Sequence, residues 1–154
     1  MVRTLDAGAD KPLPFLTDAS EPNPALGVRG YRTDWTSPGV LERQLAAIAA
    51  AAEGTAADVW VMAPMIATVD EAEHFAGMCA AAGLKTPGVM VEVPSAALTS
   101  ELIFGHVEFA SLGTNDLTQT TWGFSRDDVE AAFFASYLEK GVFTVSPFES
   151  RFSA

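Results

Sequence analysis

An α/β fold with a parallel sheet is what this sequence predicts, on three observations. Short β-branched apolar runs alternate with stretches of helical spacing. Two consecutive runs, Gly88-Val-Met-Val-Glu92-Val-Pro94 and Phe109-Ala-Ser-Leu-Gly113-Thr-Asn-Asp116, each lead to a carboxylate close to Pro or Gly. A parallel strand delivers an acid to the rim of a sheet in this way. The 154 residues are 49% hydrophobic and 19% charged, enough apolar material for one domain with a core.

Taken in order, Val2 to Asp6 reads as the first strand, followed by a long Pro- and Asp-containing loop through residue 30. Ser37 is expected to cap a helix with Pro38 at its first position, burying Leu41, Leu45, Ile48 and Ala52. Val59 to Pro64 is the second strand. Thr68-Val-Asp-Glu71 has the form of a capping box and opens a helix that ends near Gly83. A third strand over 88–93 precedes a helix from about Ser95 to Phe104. The fourth strand covers 107–112, and Asp127 or Asp128 starts a helix reaching Leu138. No internal repeat or low-complexity segment interrupts this βαβα order, which predicts helices packed outside a parallel sheet.

Glu92 and Asp116, on neighbouring strands, form a hard-oxygen pair suited to Mg²⁺, which takes one or two carboxylates plus substrate oxygens. A net charge of −11 argues against nucleic acid and against an anionic membrane surface. No apolar run approaches the ~20 residues needed to span a bilayer, and the first residues have no signal-peptide pattern. The single cysteine excludes an internal disulfide and suits the cytoplasm. Any anionic substrate would have to be held by local arginines and a cation, against the overall field. Trp35, Trp60 and Trp122 read as packing residues, and His74 and His106 as unrelated to a metal site.

Four ordered motifs carry a resemblance. They are Arg3-Thr-Leu-Asp6 with Asp10-Lys11, Asn23-Pro-Ala-Leu-Gly-Val-Arg29-Gly-Tyr-Arg32, Met90-Val-Glu-Val-Pro94, and Gly113-Thr-Asn-Asp-Leu-Thr-Gln119 with Arg126 downstream. Together they resemble the phosphoenolpyruvate (PEP)-binding barrel of the PEP-utilising enzymes. That family includes enzyme I of the sugar phosphotransferase system, pyruvate phosphate dikinase and PEP synthase. The resemblance implies that Arg3, Arg29 and Arg126 grip the substrate anion, which suits the planar donor fork of arginine. It implies contacts to substrate from Thr114, Asn115 and Asp116, and Mg²⁺ held by Glu92 and Asp116.

Functional residues at the C-terminal ends of parallel strands fit the rim of a (β/α)₈ TIM barrel. Four strands are too few for the ~250 residues of a complete one. Residues 1–154 thus look like a fragment, about four middle β/α units and roughly the third to sixth. Two open sheet edges favour pairing with a second copy, a homodimer.

The family's Cys-Gly-Glu turn and phosphorylated histidine have no counterpart here, so no catalytic residue is assigned. Cys79, inside a helix, reads as a buried structural thiol. Residues 1 to about 118 most resemble enzyme I. Trp122-Gly-Phe-Ser-Arg-Asp-Asp-Val129, Tyr137-Leu-Glu-Lys-Gly-Val142 and Ser146-Pro-Phe-Glu149 resemble pyruvate phosphate dikinase. The leading expectation is a PEP-binding, Mg²⁺-dependent, cytoplasmic phosphotransferase of sugar transport. In the complete protein it would pass phosphoryl from PEP to a protein histidine and a small phosphocarrier protein, releasing pyruvate. The alternatives are a pyruvate phosphate dikinase fragment and a non-catalytic barrel fragment. The isolated chain is expected to be inactive.

Overall fold

Each strand forms close to its apolar run: the first, second and fourth are shorter than expected, and the third keeps its length but starts two residues earlier, over Thr86–Val91 in place of 88–93. The structure is a computed structural model describing residues 1–8, 11–23, 25–126, 128–129 and 133–148. β1 (Val2–Arg3), β2 (Trp60–Ala63), β3 (Thr86–Val91) and β4 (Phe109–Leu112) form one parallel sheet in the order β1-β2-β3-β4. Val2 pairs with Val61, Met62 with Gly88, and Gly88 with Phe109. Successive side chains alternate between faces. Val61, Ala63, Val89 and Val91 point to the helices and join Leu41, Leu45, Phe75, Cys79 and Ile103 in one buried cluster. On the other face Trp60 lies 5.1 Å from the Phe109 ring. That ring fills the place where Gly88 would carry a Cβ, so only glycine fits at this point of β3.

The helices are α1 (Thr33–Thr36), α2 (Val40–Ala52), α3 (Val69–Ala81), α4 (Pro94–Leu98), α5 (Ser100–Ile103), α6 (Thr114–Trp122) and α7 (Phe134–Glu139). A 3₁₀ turn over Gly30–Arg32 leads into α1. The expected capping box at Thr68 is present: its hydroxyl accepts from the Glu71 amide at 3.2 Å, and the Glu71 carboxylate accepts from the Thr68 amide at 3.1 Å. At the other end of α3, Gly83 adopts a φ of 79°. The Leu84 amide then reaches back to the Cys79 carbonyl at 2.9 Å, closing the helix in a Schellman turn.

Several sequence expectations are corrected. Ser37 does not cap α2: the helix begins two residues after Pro38, behind a left-handed Gly39, and the Leu41 amide donates to Asp34 at 3.4 Å. The helix expected from Ser95 to Phe104 is two pieces, broken at Thr99, whose hydroxyl bonds back to the Ser95 carbonyl at 2.8 Å. Such back-bonding competes with the helical ladder. α1 and α6 were not expected. α6 buries no residue, so it has no apolar stripe for a periodicity argument to find. The helix expected from Asp127 or Asp128 crosses residues outside the described set; Asp128 and Val129 are helical, and α7 covers the final turns before Lys140. Asp10 and Glu149 also lie outside that set. Trp35 is 73% exposed, which does not suit the packing role expected of it, whereas Trp60 and Trp122 lie against the rings of Phe109 and Phe143. Among the described residues, no helix is long and apolar enough to cross a membrane.

Candidate functional site at the strand ends

The segment before the 3₁₀ turn is shaped by its own polar groups. Glu21 accepts from the Val28 amide at 2.7 Å, and its carboxylate occupies the space beside Gly27. Arg32 donates to the Leu26 and Gly27 carbonyls at 3.2 and 3.1 Å. The amides of Gly30 and Tyr31 then bond the carbonyls of Ala7 and Pro64, pinning the segment across the ends of β1 and β2. Arg29 is thereby turned inward and is 2% exposed.

A buried guanidinium needs acids around it. Arg29 Nη2 contacts both oxygens of Asp6 at 3.2 and 3.1 Å, and Nη1 lies 3.5 Å from Asp116 Oδ1. Asp6 also receives Lys11 Nζ at 3.4 Å and Arg3 Nη1 at 3.8 Å. Burial alone would raise the Asp6 carboxyl, but the Arg29 hydrogen bond and the charges of Arg29, Lys11 and Arg3 hold it below the usual value. Asp6 is thus the hub joining two expected arginines to Asp116, and the sequence reading missed it as a site residue. The available signal was its position three residues after Arg3, past the end of β1.

Glu92 follows β3 and is 1% exposed. Its Oε1 accepts from the Met65 amide at 2.7 Å. Met65 holds a φ of 59°, uncommon for a residue with a side chain, and this turns its amide to the carboxylate. Gly113 makes room on the other side, because a Cβ there would overlap the Glu92 side chain. Burial first, and then the neighbouring Asp116 and Asp6 charges, push the Glu92 carboxyl up to about 7, against the lowering effects of the Met65 amide and Arg29. Glu92, Asp6, Asp116 and Arg29 therefore feel one another's charge in one partly desolvated site.

Asp116 lies in the first turn of α6, with Gln119 donating to it at 3.4 Å. Arg126 is exposed, and its backbone and side chain are tied to Gln119 at 2.9 Å and to Asn115 at 3.4 Å. A cavity of about 440 Å³ beside Asp116 is lined by Asn23, Leu26, Gln119, Thr120 and Phe124 among others, within the usual range for small-molecule sites. Thr114 does not line it; it lies on a separate apolar groove with Leu98, Leu117 and Phe143. Cys79 is fully buried in α3, and its thiol is pushed up to about 12 by burial, as suits a structural role. His74 is engaged with the Tyr31 hydroxyl at 2.5 Å.

Arg29, Lys11 and Arg3 thus gather on Asp6 beyond the end of β1 of an α/β sheet, while Asp116, expected at the end of a strand, stands in the first turn of α6 and reaches Arg29 from there. The chain belongs to the family described as PEP-utilising enzyme, PEP-binding domain, whose model matches residues 1–145. It is 57% identical over 127 residues to a phosphoenolpyruvate-protein phosphotransferase of Streptomyces coelicolor, covering 82% of this chain and 23% of that protein. It is 40% identical to a multiphosphoryl transfer protein of Xanthomonas campestris pv. campestris, covering 92% of this chain and 18% of the relative. A chloroplastic pyruvate, phosphate dikinase of Flaveria pringlei is also 40% identical, over 84% of this chain and 15% of its own length. The chain thus spans less than a quarter of each of these relatives.

Proposed function

We propose that this chain supplies the PEP-binding site of a PEP–protein phosphotransferase, with its four β/α units forming the middle of a (β/α)₈ barrel. The observation that carries the reading is the Arg29 guanidinium held between Asp6 and Asp116, with Arg3 beside it and Glu92 in electrostatic reach. This rim presents arginine forks to a phosphate or carboxylate. Arg29, fixed by Asp6, orients the anion; Arg3 and Arg126 are exposed enough to close on it; Asn115 and the start of α6 lie at its edge.

The acids suit a divalent cation. Among the described residues, no group of three or more His, Cys, Asp or Glu side chains is placed to hold a metal. Mg²⁺ needs only one or two carboxylates when substrate and water complete its shell. Glu92 and Asp116 are such a pair: burial first, and then the neighbouring Asp116 and Asp6 charges, raise the Glu92 carboxyl, and a cation between the two acids would favour its ionised form. Mg²⁺ bound there would neutralise charge on the substrate oxygens.

In the complete protein the reaction would move phosphoryl from PEP to a histidine, releasing pyruvate, and onward to a small phosphocarrier protein of sugar uptake in the cytoplasm. The aromatic cluster of Trp122, Phe124, Phe133, Tyr137 and Phe143 falls in the stretch resembling pyruvate phosphate dikinase. That stretch keeps the dikinase reading as the alternative, while the 57% identity over most of the chain favours the phosphotransferase. Calorimetry with Mn²⁺ and a PEP analogue should give binding to the wild type that is lost in Asp116→Ala. Metal-dependent binding that survives the substitution would remove Asp116 from the site.

A further inference from the structure

Among the described residues of the stretch 21–28, none joins the buried apolar cluster behind the sheet. Polar contacts therefore set its shape, and one of them spans the whole stretch. Glu21 Oε1 accepts from the Val28 amide at 2.7 Å, seven residues along the chain. A carboxylate acceptor makes this a charge-assisted bond, stronger than a neutral one. Inside the ring that it closes, the Leu26 amide donates to the Asn23 carbonyl at 2.9 Å. Arg32 holds the Leu26 and Gly27 carbonyls, which supports one limb of the ring without closing it.

Gly27 shows how closely the two ends fit. A Cβ there would fall on the Glu21 carboxylate. The φ of Gly27 lies outside the left-handed region, so its backbone would accept alanine. What demands glycine is the carboxylate. The ring ends one residue before Arg29, and its residues Asn23, Ala25 and Leu26 line the cavity beside Asp116. After Arg29, the Gly30 and Tyr31 amides pin the chain to Ala7 and Pro64. Before it, the Glu21 bond is the corresponding tie.

Resting on the PEP-site reading, we propose that Glu21 is a positioning residue: its carboxylate closes the 21–28 ring and thereby holds Arg29 and the cavity wall of Asn23, Ala25 and Leu26 in the arrangement that takes the anion. Cutting the bond leaves the sheet and its core in place and lets the ring open. Only the closed fraction then binds, and the apparent affinity falls by that fraction. The charge effect runs the other way, since removing an acid from a chain of net charge −11 by itself favours an anion. A loss of affinity thus reports geometry.

Calorimetry with Mn²⁺ and phosphoglycolate, beside urea unfolding of each variant, tests this. Glu21→Ala should weaken binding about tenfold or more, as loss of one hydrogen bond to a charged group implies, with the urea midpoint little changed. Glu21→Gln keeps an acceptor for the Val28 amide and should recover most of the loss. Gly27→Ala retains Glu21 but evicts its carboxylate, and should match Glu21→Ala. The double variant should bind no more weakly than either single one, because both cut the same contact. Unchanged binding in Glu21→Ala, an equal loss in Glu21→Gln, or losses that add in the double variant would overturn the proposal. So would a collapse of the urea midpoint in Glu21→Ala and Gly27→Ala alike, which would make the ring a support of the fold. In each of these cases, wild-type binding that is lost in Asp116→Ala upholds the site itself. Absence of phosphoglycolate binding to the wild type would overturn the PEP-site reading and the role of Glu21 with it.

Discussion

At Glu92, geometry and protonation meet. Its carboxyl titrates near 7 when folded and near 4.5 as a free side chain, so the folded state favours the protonated form. Stability from this group is complete below pH 4.5 and is lost as pH rises through about 7. The loss at alkaline pH is on the order of 3 kcal/mol for a shift of this size. Asp6 acts in the opposite direction, because its depressed carboxyl adds stability that disappears only as pH falls below its ordinary range. Between pH 5 and 8 the Glu92 effect therefore stands apart. Glu92→Gln should gain stability relative to wild type as pH is raised from 5 to 8, read from urea midpoints at each pH. A difference that stays constant across that range would show an ordinary carboxyl at this position. At the same scale, Arg3, Glu92 and Asp116 were visible in sequence because motifs and strand ends point to them. The Met65 amide was not, because nothing in a side-chain pattern announces a left-handed backbone at a buried methionine.

Among the elements, α3 is the most legible and α6 the least. The α3 start is written in four residues, and its cap is formed as those residues dictate. Thr68→Ala removes the acceptor for the Glu71 amide and should cost about 1 kcal/mol. For a chain of this length that lowers the melting temperature by roughly 2–4 °C, measurable by circular dichroism. A change under half a degree would mean that Glu71 and the packing of Phe75 hold the end of α3 without the hydroxyl. α6 is a different kind of helix: Thr, Asn, Asp and Gln dominate it, none of its residues is buried, and its place is set by what precedes and follows it. Propensity reasoning sees such a stretch as rim or loop. The break at Thr99 was hidden for a related reason, since a threonine hydroxyl bonding back to its own helix leaves the apolar spacing unchanged.

For the whole molecule, the parallel order of four strands was readable, and the closure of the sheet was not. β1 and β4 each pair on one side only within the described sheet, and Leu98, Leu102, Phe104 and Leu112 stand exposed near β4. A second copy placed with its β1 against β4, and its β4 against β1, would complete eight parallel strands and satisfy both edges. Sedimentation at micromolar concentration should show a dimer; a stable, folded monomer would count against this closure. Turnover is a separate matter. Pyruvate formation needs a proton placed at carbon, and positioned acid catalysis contributes 10²–10⁴-fold. The only cysteine is buried with its thiol near 12, and His74 is held by Tyr31. The chain as given should therefore release no pyruvate from PEP in an assay coupled to lactate dehydrogenase. Steady release abolished by Arg126→Ala would reveal another acid in the rim.

The contact between Arg29 and Asp116 joins residues 87 apart in sequence, one before β2 and one after β4. Everything between them, the strands β2 to β4 and the helices α1 to α5, has to be in place before that guanidinium can meet both acids. Closing so long a loop is entropically costly until the intervening contacts exist. The charge cluster is therefore complete only when these elements are assembled. On the proposed reading, a partly folded molecule would have the arginine and both acids without their arrangement, so an anion would recognise only chains whose sheet is complete. Such a ligand would act as an inspector of the fold as well as its cargo, drawing the population toward finished molecules as its concentration rises.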